Sequence, residues 1–310
     1  VGHLRPSGAV ERIGGRGVVA VLVATLAWSA APVLVKSSEL TGLRFAMFRL
    51  WAGVGIYALI LAVTGRRLTW STLRRSGPGG IVFGLDVSLA FLAFTLTSVA
   101  DATIIGALSP VVIALASTRL LGERIGRVEV ALAVASFGGV VLVALGQSAS
   151  ASWSLAGDLA ALAGIGTWTV YWFWSRRARR SVPAIEYMTS VMLAAAVVVT
   201  PIALLAGGGP LVPDRGSLLA VALVALVPGV VGHTLVAWSH EHVASWLAAL
   251  VTQCHPVFAT VWAWWFLGER LEPLAAVGIA VVLAATGGVI VRSARTGVAA
   301  DLEELAEPPA

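Results

Sequence analysis

Charge is scarce in this chain. Of its 310 residues only 12% are Asp, Glu, Lys or Arg and 58% are hydrophobic, too little polar surface to clothe a soluble globule. A mean hydropathy of +0.90 makes lipid the solvent for much of the surface. Cysteine is scarcer still: Cys254 stands alone, so no internal disulfide forms, and its apolar neighbours mark a buried thiol. Lysine is represented only by Lys36 against twenty arginines, a bias that carries no mechanism. The basic pI of 10.3 does not indicate nucleic-acid binding, which needs cations gathered on one solvated face; here they are scattered through short loops. There is no Gly-Lys-Ser/Thr P-loop, no nucleophile elbow and no dinucleotide fingerprint, so ATP-driven and soluble-type chemistry lack support. His240 and His242 are two apart and would point to different sides of a helix, a poor metal pair. Neither a cofactor nor a metal is expected.

What is present is a succession of apolar runs, each near the roughly 20 residues that cross a hydrocarbon core as helix. They fall at 17 to 35, 43 to 64, 79 to 99, 101 to 121, 127 to 146, 155 to 175, 185 to 206, 216 to 239, 244 to 267 and 272 to 291. The first follows a basic leader (Arg5, Arg12, Arg16) and continues too far for a cleaved signal, so it is read as a retained helix. With the amino terminus inside, sixteen Lys and Arg fall on inner segments and five (Lys36, Arg44, Arg49, Arg215, Arg270) on outer ones. Cytoplasmic loops carry that excess, so both termini are expected to be cytoplasmic. Aromatic residues at the ends of the sixth span (Tyr171, Trp172, Phe173, Trp174) and the ninth (Trp262, Trp264, Trp265, Phe266) suit membrane interfaces.

The chain also repeats itself. SPVVIALASTRLLGER (109 to 124) and HPVFATVWAWWFLGER (255 to 270) share a frame, with thirteen positions from Pro110 to Glu123 and thirteen from Pro256 to Glu269. Trp28 precedes Lys36 by eight residues, as Trp168 precedes Arg176. Two five-helix halves follow, and because five is odd the second enters the membrane from the opposite side. The expected fold is an all-α polytopic membrane protein of ten transmembrane helices in two inverted five-helix repeats. Its parts are a basic leader (1–16), a first repeat (17–146), a periplasmic linker (147–154), a second repeat (155–292) and an acidic cytoplasmic tail (293–310). Gly138-Gly139 and Gly287-Gly288 break the register by about three residues.

Taken together, WSAAPVLVK, FRLWAG, the two Pro-to-LGER blocks and GVVGHTLVAW resemble the EamA family of the drug/metabolite transporter superfamily, over residues 17 to 292. The resemblance implies ten helices in two EamA repeats and the export or import of small organic metabolites, often amino acids or related compounds. The chain departs from an acidic-proline pattern, since His255 stands before Pro256.

Ionisable side chains inside spans are costly unless they face a cavity or a partner. Asp86 lies 24 residues before Pro110 and His233 lies 23 before Pro256, nearly equivalent places in the two halves. They are candidates for substrate contact and for proton coupling, against a packing Asp and a satisfied His. Arg49, within the second span, suits a substrate carboxylate, or pairs with Glu39 or snorkels outward; Lys36 reads as an interfacial anchor. Pro110, Pro256 and Pro228-Gly229 weaken helical bonding and bend their helices. Ser109 and His255 beside such breaks offer polar groups to a substrate or to a freed carbonyl. Trp28 with Ser29, Trp168, Tyr171 and Trp238 supply flat walls with polar edges, or face lipid. Glu123-Arg124 and Glu269-Arg270 are read as structural, fixing helix ends after a terminating glycine. The Gly80 to Gly84 spacing suits close helix contact without requiring a dimer.

The sequence therefore reads as a secondary transporter of the inner membrane, moving a small organic metabolite, with export favoured, by alternating access. Its partners are that solute and the lipid bilayer; nucleic acid is not among them, and a homodimer is left open. The alternatives are an intramembrane enzyme or lipid-modifying protein using Asp86 and His233 as acid and base, and a membrane scaffold that transports nothing.

Overall fold

A computed structural model describes residues 15–36, 38–96, 99–123, 125–146, 154–268 and 270–306. Most of the leader, most of the linker, Arg124, Glu269 and the last residues of the tail lie outside the described residues.

Every regular element described is a helix, and ten spans emerge. The first is Gly15–Ser29 continued by Ala31–Lys36; the second Gly42–Thr64; the third Trp70–Leu96; the fourth Val99–Gly106 and Ser109–Leu120; the fifth Arg127–Gly146. The sixth is Leu155–Arg179, the seventh Ala184–Leu205, the eighth Arg215–Val224, a π-helical stretch Ala225–Gly232 and His233–Ser239. The ninth is Ser245–Val251 and Cys254–Leu267, and the tenth Pro273–Ala306. Five of these, the second, fifth, seventh, eighth and the Pro273–Ala294 part of the tenth, are long and apolar enough to cross a bilayer. The first, fourth and ninth are broken instead.

The breaks follow the prolines. The fourth span pauses just before Ser109-Pro110 and the ninth just before Cys254-His255-Pro256, because a proline lacks the N–H that would continue the ladder. In both halves the following helix ends at the glycine of LGER: Gly122 has φ +70° and Gly268 φ +66°, the left-handed conformation glycine adopts at least cost. Helices also overrun their apolar cores. The third begins at Trp70, with Pro78 inside it; the sixth runs through its arginines to Arg179; the tenth continues into the tail as far as Ala306.

Packing repeats as the sequence does. The third span packs on the sixth and seventh as the eighth packs on the first and second, while the second meets the seventh and the fifth meets the tenth. Gly80 and Gly84 allow the close approach of the seventh span, since a Cβ on Gly80 would lie 2.6 Å from the Val191 carbonyl oxygen and one on Gly84 3.1 Å from Ala195. That spacing is thus used inside the chain. Gly139 does not meet the Gly287-Gly288 pair; it faces Gly278, where a Cβ would lie 2.6 Å from the Gly139 carbonyl oxygen, which explains the slipped register in the sequence. Tyr57, Phe83, Tyr187, Met188 and Met192 fill a core between the second, third and seventh spans, and a second core gathers Trp172 with Val243 to Val251.

Candidate functional site

Between the first, second, sixth, eighth and ninth spans there is a cavity of about 240 Å³, lined by residues that include Trp28, Arg49, Trp168, Pro228, His233 and His255. Its walls are built from helix defects. Pro32 has no N–H, so the Trp28 carbonyl loses its helical partner, and the His255 imidazole hydrogen-bonds to it. Trp28 Nε1 in turn donates to the Pro228 carbonyl at 3.1 Å, within the π-helical stretch of the eighth span. The indole fits only because residue 232 is glycine: a Cβ there would sit 2.6 Å from Trp28 Cδ1 and Nε1.

Trp28 and Trp168, equivalent in the two repeats, touch edge to face with ring centroids 5.9 Å apart at 76°. The His233 ring is tilted against Trp28 with centroids 4.9 Å apart and meets Phe83 edge to face at 4.9 Å, one turn before Asp86. Tyr171 lies behind Trp168, their ring centroids 5.4 Å apart. Half-buried Asp86 accepts a hydrogen bond from Thr167 Oγ1 at 3.2 Å. No bond joins Asp86 to His233 among the described residues; Arg49 is the charged neighbour that acts on both. Arg49 Nε is buried without a hydrogen-bond partner.

The other candidates lie elsewhere. Ser29 is fully buried, donates to the Leu26 carbonyl and accepts from Trp262 Nε1 at 3.0 Å, so it serves the joint between the first and ninth spans. Ser109 is half-buried at the start of the second part of the fourth span, outside the cavity lining. Trp238 stacks on His242 at 3.8 Å, toward the turn after the eighth span. The Lys36 side chain is outside the described residues.

Sequence reasoning passed over Tyr57, whose hydroxyl shares a 2.6 Å hydrogen bond with Thr234 and donates to the Val230 carbonyl. The signal was available: a tyrosine amid apolar residues in mid-span needs a partner for its hydroxyl. It also passed over Gln253, in the break of the ninth span, which donates to the Ala107 carbonyl in the break of the fourth.

One end of the bundle, where the sixth span ends in arginines, is tied together by ion pairs. Glu123 accepts from the backbone N–H groups of Ser245 at 3.0 Å and Trp246 at 3.3 Å, capping a helix whose own N-cap, Ala244, has no capping side chain. Arg176 pairs with Glu123 at 3.2 Å and donates to the Val243 carbonyl at 2.9 Å. Arg179 donates to the carbonyls of Ala237 and Val182 and pairs with Glu241 at 2.8 Å. Inside this ring His240 meets the edge of fully buried Trp172. Burial, helped by Arg176 and Arg179, holds His240 near a pKa of about 3, below its ordinary 6.5. The folded protein keeps this imidazole neutral, whereas a loosened chain protonates it below pH 6.5. The associated stability is therefore complete above pH 6.5 and falls as pH drops toward 3, by at most about 1.4 kcal/mol per pH unit. The unfolding temperature of the wild type is expected to decline over this range more steeply than that of His240→Gln; equal slopes would place the acid sensitivity elsewhere.

Comparison with known proteins fits this arrangement. The model of the EamA-like transporter family matches residues 15–145 and again 155–291. No curated protein matches the chain. Chains of solved structures do, 29 of them, and one described as "Crystal structure of protein" has a TM-score of 0.77 and 22% identity, covering 90% of this chain and 98% of that one. At that identity the likeness is one of fold.

Proposed function

The chain belongs to the EamA-like transporter family, and from that premise we propose that it is a secondary transporter exporting a small organic metabolite across the inner membrane by alternating access. It is a multi-pass membrane transporter rather than an enzyme, which sets aside acid-base catalysis by Asp86 and His233. The observation that carries the rest is the cavity between the repeats together with the ion-paired closure at one end. Solute held there has a barrier on one side, as a carrier between access states requires. With the arginine-rich end in the cytoplasm, this is the outward-facing state and both termini are inside.

Asp86 and His233 are the proton-coupling groups in this reading. Thr167 from the sixth span, Arg49 from the second and Tyr171 bear on Asp86; Arg49, Trp28 and Phe83 bear on His233.

Proteoliposomes loaded with a metabolite mixture test the proposal. Protein-dependent loss of a subset of solutes is expected, with a pH dependence that flattens in Asp86→Asn and in His233→Gln. Absence of any protein-dependent flux would overturn transport; unchanged pH profiles in both variants would leave facilitated diffusion. For orientation, an impermeant thiol reagent applied to intact cells is expected to label Leu211→Cys and to spare Arg180→Cys, both exposed positions.

A further inference from the structure

We propose that the cavity selects an organic monoanion, a carboxylate carried on a small flat apolar body, with Arg49 as the charge partner and Trp28 and Trp168 as the walls. This names the substrate class of the cavity and rests on reading that cavity as the transport site.

Arg49 carries a charge that no carboxylate among the described residues contacts directly, although Asp86 acts on it from nearby. A guanidinium inside a span is costly without an anion or a full set of acceptors. Arg49 lines the cavity, and its Nε is buried with no partner. Neither acid the sequence offers it takes that place: Asp86 is bonded to Thr167, and no ion pair joins Arg49 to Asp86 or to Glu39 among the described residues. Glu39 instead stands at the outer end of the bundle, its backbone N–H on Ser217 Oγ.

The rest of the lining decides the sign and shape of the guest. Ala31, Val35, Val224 and Pro228 are apolar, the Trp28 indole N–H is taken by Pro228, and the His255 imidazole is engaged with the Trp28 carbonyl. Among the described residues no Asp or Glu lines the cavity, so a cationic solute finds no counter-charge there. A neutral solute leaves Arg49 unpaired. A dianion brings one charge more than Arg49 neutralises. A carboxylate presents two oxygens in the plane of the guanidinium fork and restores one hydrogen-bonded pair. The edge-to-face tryptophans favour a flat body beside that pair. A volume of about 240 Å³ is below the roughly 300–1,000 Å³ of drug-sized sites, so the body is small.

The test is binding to the purified full-length protein in lipid nanodiscs, by equilibrium dialysis and thermal stabilisation, with phenylacetate, phenylacetamide and phenethylammonium as probes of one shape and three charges. Phenylacetate is expected to bind at least about tenfold more tightly than either of the others, the scale of a charge-assisted hydrogen-bonded contact. Arg49→Gln should reduce phenylacetate to the level of the amide, and Arg49→Lys should recover part of the difference. Equal binding of amide and acid, tighter binding of the ammonium, binding by none of the three, or an anion preference surviving in Arg49→Gln would overturn the proposal. The wild-type comparison decides the matter even if a variant fails to fold. Anion-selective binding without flux in proteoliposomes would retain this inference and remove the transport reading; flux with no anion preference would do the reverse.

Discussion

Glu123→Ala is expected to destabilise the folded protein by about 3–5 kcal/mol, the usual consequence of removing one member of a buried ion pair. The Glu123 side chain is 3% exposed and that of its partner Arg176 11%, so solvent cannot replace the lost carboxylate. Two backbone N–H groups at the start of the ninth span, those of Ser245 and Trp246, lose their acceptor in the same step, and an uncapped helix N-terminus adds to the cost. Glu123→Gln keeps one carbonyl oxygen in place and should recover part of the loss. Thermal unfolding in detergent distinguishes the outcomes: the order wild type, Gln, Ala is expected, and unchanged melting of the alanine variant would reduce the pair to decoration.

Gly278→Val should cost about 1–3 kcal/mol, toward the upper end. Its Cβ would meet the Gly139 carbonyl oxygen at 2.6 Å and the Val143 nitrogen at 2.7 Å; both are backbone atoms, so relief requires the fifth and tenth spans to separate. Gly287→Val, with nothing within 4 Å of its Cβ, is the control and should be near neutral. Gly139→Val meets Gly278 from the other side. The double variant should therefore cost less than the sum of the singles, because one separation relieves both clashes. Chemical unfolding of the four proteins measures this, and a fully additive result would place the two glycines in unrelated contacts.

The spans were legible because lipid solvation forces long apolar runs, and their internal breaks were legible wherever a proline announced one, as at Pro110 and Pro256. Hydropathy stopped the third span at residue 79 because Arg74, Arg75 and Pro78 dilute the signal, yet the backbone stays helical from Trp70: charge sets where lipid ends, and the ladder need not end with it. The π-helical stretch around Pro228 left no periodic trace. Trp28, Arg49, Trp168, His233 and His255, each singled out in the sequence, all line the cavity. Trp238 and Ser109 share the chemistry of those residues and not their helix face, which composition cannot report. Gln253 escaped notice because its partner, the Ala107 carbonyl, looks like nothing in a sequence, whereas Tyr57, bonded to Thr234, could have been found from its place in mid-span.

The contact between Trp28 and Trp168 has a property that follows from symmetry alone. The two rings hold corresponding places in the two halves and meet each other, whereas Glu123 and Arg176 close one face from a fourth and a sixth helix. If the halves trade conformations, the indole pair maps onto itself, while the ion-paired latch maps onto different residues at the far face. Under the proposed alternating access, the indoles form an invariant hub, and direction falls to residues whose counterparts lie at the other face.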